Sequence, residues 1–145
     1  MPVTTLCAMR RPIALLTLPA VMLTLAVAGC GAETQSSVGD FEGDEREVAQ
    51  LVDDLEKAAG DADAEEICGR IFATELLNSI KAGDSDCVEE MEKALADAND
   101  FEIEVVDVTV TGSTAKATVR QGEEGRTAQF GFERDGDAWR ATSLG

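Results

Sequence analysis

The chain has 145 residues, with 29 Asp and Glu against 12 Lys and Arg and a formal charge of −17. So acidic a balance excludes nucleic acid as a partner, because affinity for phosphate backbones rests on Lys and Arg. With no His and no Tyr, imidazole acid–base chemistry, the usual histidine metal sites and phenol general acids are missing. The length suits one domain.

Residues 1–12 hold Arg10 and Arg11 and no acid, and Ile13 to Ala28 is an uncharged, mainly apolar run interrupted by Pro19. That run is shorter than the roughly 20 apolar residues of a spanning helix. A basic start, a short apolar core and small residues before a cleavage point are the layout of a secretory signal. Met9 before the Arg pair and Pro12 after it speak against twin-arginine export. Val27-Ala28-Gly29-Cys30 resembles the lipobox of bacterial lipoproteins, in which the Cys is acylated and becomes the new N-terminus. The resemblance implies a signal peptide over 1–29, palmitate-type acyl chains on Cys30, and export to the cell membrane or envelope. The membrane is then a partner through that lipid, each buried CH₂ contributing about 0.8 kcal/mol. The alternative is an uncleaved N-terminal anchor. Residues 30–44 are small and polar, with only Val38 and Phe41 to bury, and read as a flexible stalk ahead of a domain over 45–145.

Cys7 leaves with such a signal and Cys30 takes the lipid, which leaves Cys68 and Cys87. In an exported domain these are expected to form one disulfide. Cys68 lies beside Ile67, Ile71 and Phe72, and Cys87 shares a helical face with Met91 and Leu95. The rival, a redox pair or thiolate metal site, lacks a third Cys or any His.

Along the domain, Val48, Leu51, Val52 and Leu55 recur at helical spacing over 45–59, ahead of Gly60. Asp63-Ala64-Glu65-Glu66 has the form of a capping box and opens a second helix through Ile67, Ile71 and Phe72. Residues 74–80 suggest a short further turn. Ser85 or Asp86 is placed to cap a third helix carrying Val88, Met91, Leu95 and Ala98. Then the period changes from helix to strand. Phe101, Ile103 and Val105 alternate, and Val106, Val108 and Val110 alternate in the opposite phase, which predicts a β-bulge. Strands follow over 114–120, 126–134 and 138–144, with Ala115, Ala117 and Val119, then Ala128, Phe130 and Phe132, then Trp139 and Ala141 on the inner face. Asp135-Gly136 marks the last hairpin. The expected fold is α+β: a signal segment, then about three helices packed on a curved four-stranded antiparallel meander.

The order of elements, Leu51-Val52-Asp53-Asp54-Leu55 ahead of Ala58-Ala59-Gly60-Asp61, and the closing Arg134-Asp135-Gly136-Asp137-Ala138-Trp139-Arg140 resemble the nuclear transport factor two-like superfamily, notably its small secreted lipoproteins. The resemblance implies a sheet curled around a long first helix, and covers about residues 45–145. Enzymes of that superfamily place Asp, Tyr or His inside the cone. Here Tyr and His do not occur, and Asp107, at the predicted bulge, is the one carboxylate to weigh against a plain exposed strand position.

No cofactor is called for, and no metal site: Asp61-x-Asp63-x-Glu65 starts like a calcium loop but has Glu66 and Phe72 where Gly and Glu are needed. Residues 31–100 carry 21 acids and five bases, residues 101–145 eight and five. The helical half is therefore a negative field. Three functional readings stand. The first is a non-catalytic, lipid-anchored domain binding a small apolar ligand or an envelope protein, with Leu51, Leu55, Phe130, Phe132 and Trp139 as the ligand-facing surface. The second is an interaction module with a filled cone, whose partner surface is the outer sheet face at Thr114, Lys116, Thr118 and Arg120. The third is an enzyme of the same fold.

Overall fold

A computed structural model describes residues 37–81, 86–98, 100–122 and 124–145. The predicted signal, Cys30 and the Ser85 cap lie outside the described residues. The elements run as a short 3₁₀ turn (Ser37–Asp40), helices α1 (Gly43–Gly60), α2 (Ala64–Glu66), α3 (Thr74–Lys81) and α4 (Cys87–Asp97), then strands β1 (Ile103–Thr111), β2 (Thr114–Gln121), β3 (Arg126–Asp135) and β4 (Ala138–Leu144). The strands form one antiparallel sheet in the order β1-β2-β3-β4. An α+β fold with a four-stranded meander is what the period change predicts; among the described residues there are four α-helices where about three are expected.

The helices cover one face of the sheet. On α1 the buried residues are Val48, Ala49, Val52, Leu55, Ala58 and Ala59, a stripe at helical spacing. It meets the inward side chains Val105, Val108, Ala115, Ala117, Val119, Phe130, Phe132, Trp139 and Ala141 in a single core. Inward and outward positions alternate strictly on β2, as the strand period requires. The register of β1 against β2 skips between Val105 and Asp107, so Val106 is the bulged residue. It is 46% exposed and not, as the second alternation suggests, on the inner face. Val108 and Val110 still turn inward because the bulge resets the phase.

Four further features depart from the sequence reading. The folded part begins before residue 45, with Val38 and Phe41 half-buried against the core and the Arg46 Nε donating to the Phe41 carbonyl (2.9 Å). The second helix is only one turn long. Asp63 caps it by accepting the Glu66 N–H (2.9 Å), and the chain then widens into a π-turn over Ile67–Ile71, closed by the Phe72 N–H on the Ile67 carbonyl (3.0 Å). Phe72 is extended rather than helical and bridges Ala141 in parallel, with the Ala73 N–H donating to the Ala141 carbonyl (2.8 Å). This segment covers the β4 edge, which would otherwise present unpaired backbone groups. Finally, Asp86 stands at the start of α4 without a side-chain cap bond, and Ala98 lies past its end.

The wide turn also aims Cys68 at the start of α4. Cys68 and Cys87 are joined by a disulfide with Cα atoms 6.1 Å apart, 7% and 2% exposed. The bridge ties the π-turn to α4, on which Cys87 is the one fully buried residue described and Val88, Met91 and Leu95 are partly buried against the core. Opening this loop by Cys68→Ser or Cys87→Ser should lower stability by about 3 kcal/mol. Urea unfolding should place either variant, and the reduced wild type, at the same lowered midpoint; an unchanged midpoint in the variants would show that the bridge carries no stability.

Candidate functional site

The five residues expected to face a ligand do come together, but four of them as core. Leu55, Phe130, Phe132 and Trp139 are 7%, 2%, 3% and 4% exposed and belong to the one cluster. Leu51 is half-buried at the cluster's margin. Leu51 and Trp139 border a groove of about 280 Å³ between α1, the π-turn and the start of β4. Ala138 lines it as well, and its polar walls are Glu47, Gln50 and Asp54 from α1, Arg70 from the π-turn, and Asp137 and Arg140 from the last hairpin.

Most of the groove's charged walls have partners. Arg70 pairs with Glu66 one turn before it, and its Nη2 donates to Asp54 Oδ2 (3.4 Å). Arg140 Nη1 donates to the carbonyls of Gly69 (3.2 Å) and Arg70 (2.7 Å). It thereby satisfies C-terminal groups of the π-turn that have no partner within it. The Arg140 Nε stands 3.2 Å from Asp135 Oδ2, an ion pair by distance whose alignment is not that of a hydrogen bond. Arg134 reaches the first turn of α1, where Nη2 donates to Asp44 Oδ1 (2.6 Å) and Glu47 Oε2 (3.3 Å). Its guanidinium also lies 4.7 Å over the Trp139 ring. The closing Arg-Asp-Gly-Asp-Ala-Trp-Arg segment is thus a clasp: two arginines flank a buried Trp and fasten the hairpin to the helical layer. Among the described residues the Trp139 Nε1–H has no acceptor, a donor whose burial costs about 1–3 kcal/mol.

Asp107 is exposed on β1, where it accepts from Thr109 Oγ1 (3.4 Å). Among the described residues, no group of three or more Cys, Asp or Glu is arranged to hold a metal ion. Nor is any helix there long and apolar enough to cross a membrane. One carboxyl that sequence reasoning passes over is shifted. Burial raises the pKa of Glu56, near the end of α1, above 4.5; the Ile103 N–H it accepts works against this, while Asp53 and Glu102 add to the rise. Only the fold shows this, because Glu102 and Ile103 lie far along the chain.

The face of the sheet turned away from the helices is open. Glu104, Thr109, Lys116, Arg120, Thr127 and Gln129 are exposed on it, with Thr118 half-buried among them. Register places Thr109 beside Lys116, Thr118 beside Gln129 and Arg120 beside both Glu104 and Thr127. Within it Arg120 pairs with Glu104 (3.3 Å), exposed and so of little energetic weight. Compared with known proteins, the chain matches no family model, and no curated protein and no solved structure gives a significant match.

Two outcomes follow from this geometry. Phe130→Ala should cost about 3–5 kcal/mol, the loss expected of a packed core aromatic, read as a shift in the urea midpoint; a cost below about 1 kcal/mol would mean that the ring lines open space. Glu56→Gln should raise the melting temperature at pH 7. A carboxyl whose folded-state pKa is raised favours folding while protonated, and that advantage is lost as pH rises through the folded pKa. Wild type and variant should therefore converge below pH 4.5, and an offset independent of pH would refute the titration account.

Proposed function

We propose that this chain is an exported, lipid-anchored interaction module without catalytic activity, whose partner surface is the outer face of its sheet. The observation that carries the reading is the placement of Leu55, Phe130, Phe132 and Trp139 in one closed core, together with a sheet that has helices on one side only. A ligand site needs a preformed concavity with an apolar lining and a few convergent polar groups. The groove beside Trp139 has polar groups, but its two arginines are already held, Arg70 by Asp54 and Glu66 and Arg140 by the Gly69 and Arg70 carbonyls. The apolar residues that would hold a ligand fill the interior, which weighs the interaction module above the small-ligand carrier.

Export and anchoring rest on the lipobox-like Val27-Ala28-Gly29-Cys30. The disulfide between Cys68 and Cys87 supports the same compartment, since such bonds persist outside the reducing cytosol. The nuclear transport factor two-like resemblance is kept as a proposal for the fold's relatives; an α1 laid across an antiparallel sheet supports it. Function does not follow from that resemblance alone.

Two measurements test the reading. Cys30→Ser should move the chain from the membrane fraction to the soluble fraction or leave it as unprocessed precursor, and the wild type should carry an acyl mass on Cys30. Unchanged, unacylated membrane association would refute the anchor. Native mass spectrometry of the exported domain should give its bare mass less two hydrogens, whereas a reproducible adduct of small-molecule size would restore the ligand carrier in place of the module.

A further inference from the structure

The elements at the two ends of the sheet differ in their distance along the chain from Cys30. Described structure begins at Ser37, seven residues after it. Seven residues span at most about 25 Å, whatever conformation they take. The 3₁₀ turn that follows is packed on the domain through Val38, and Phe41 holds the approach to α1.

The first turn of α1 in turn marks one end of the sheet. Arg134, near the end of β3, donates to Asp44 and Glu47 in that turn, and its backbone N–H donates to the Ser113 carbonyl (2.8 Å) in the β1–β2 turn. The β1–β2 turn, the β3–β4 turn and the start of α1 therefore sit together. The other end is the β2–β3 turn, where the Gly122 N–H donates to the Glu102 carbonyl (2.9 Å) just before β1. It is the length of β2 away, about 27 Å for eight residues.

Resting on the lipid-anchor reading, we propose that the end of the domain made by the β1–β2 turn, the β3–β4 turn and the first turn of α1 faces the bilayer, with the β2–β3 turn directed away from it. The short chain back to Cys30 keeps the near end at the membrane. Charge sets how it is held there. Asp40, Glu42, Asp44, Glu45 and Asp137 crowd this end and are exposed, so anionic headgroups repel it. The bilayer is accordingly a neighbour and not an adhesive surface. With one end of the strands near the membrane, the open sheet face looks sideways, toward proteins held in the same leaflet.

The test uses the full chain, processed and acylated in a bacterial host and reconstituted into phosphatidylcholine vesicles that carry an acceptor dye on their headgroups. A donor dye is attached through Ser113→Cys in the near turn or Glu124→Cys in the far turn. On the proposed processing the new thiol is the free one, since Cys30 is acylated and Cys68 and Cys87 are bonded. Energy transfer should be severalfold greater from position 113. Equal transfer, or greater transfer from position 124, would overturn the orientation. Inserting about 30 Gly/Ser residues between Ala32 and Glu33, which adds roughly 30 Å of mean reach, should weaken transfer from 113. Transfer unchanged by the insertion would also overturn the proposal, because adsorption and not the tether would then set the orientation. Acylation of Cys30 is checked by mass on the same sample. Its absence would remove the anchor reading and this inference together, whereas an acylated chain with reversed transfer would remove the orientation alone.

Discussion

Everything in this domain depends on how closely one helix can approach one sheet. The buried stripe of α1 consists of Val48, Ala49, Val52, Leu55, Ala58 and Ala59, and β2 presents only Ala115, Ala117 and Val119 beneath the helical layer. Small side chains on both surfaces let backbones come close, and close packing is where dispersion and desolvation both gain. The large side chains are displaced to β3 and β4 as Phe130, Phe132 and Trp139. That partition fills the space on the inner side of the sheet. The bulge at Val106 belongs to the same constraint. It resets the inward phase of β1, so that Val105 and Val108 both reach the core.

Around that contact the chain uses different devices at the two ends of the helical layer. At the start of α1 the fastening is ionic and aromatic, through Arg134, Asp44, Glu47 and the Trp139 ring. At the π-turn it is covalent and backbone-based, through the disulfide, the Arg140 bonds to the Gly69 and Arg70 carbonyls, and the Phe72–Ala141 bridge. Arg134 and Arg140 belong to one short segment, and each holds a different part of the helical layer. A motif that looks like a ligand platform by composition, with an aromatic between two arginines, is therefore occupied by structural duties. Arg serves here because its planar fork can bridge several acceptors at once.

How much of this was legible beforehand follows the range of the interactions. The α1 stripe, the strand alternation, the Asp135-Gly136 hairpin and the β1 bulge are periodic or local features, and periodicity sees them. The Asp63 cap was legible for the same reason. The π-turn was not, because it depends on Ile67 and Ile71 both being drawn into the core while Phe72 is drawn to β4. The second irregularity, between Gly131 and Phe132 opposite β4, leaves no phase switch in an already short strand. Strand alternation turns Phe130, Phe132 and Trp139 inward, as the structure has them. Whether inward meant cavity or core could not be read from them, since that depends on what α1 places opposite. Glu56 escaped notice because its burial and its neighbour Glu102 arise only when α1 packs beside the start of β1.

The distribution of charge favours the role proposed for the sheet face. Residues 31–100 hold 21 of the acids and five bases, while residues 101–145 hold eight acids and five bases. The helical layer is thus a strongly negative field, which keeps the domain soluble and discourages association of like surfaces. A partner approaching that side must meet acids at almost every exposed turn of α1, α2 and α4. The open sheet face offers Lys116 and Arg120, with Glu104 and Asp107, beside Thr109, Thr118, Thr127 and Gln129. Short hydroxyl and amide side chains there lose little conformational entropy when ordered and can bond in either sense. Selectivity on such a face comes from the few charges, and the acidic helical layer behind it rejects contacts made the wrong way round. The same segregation of charge leaves the sheet as the less acidic face of the domain, which favours the interaction role proposed for it.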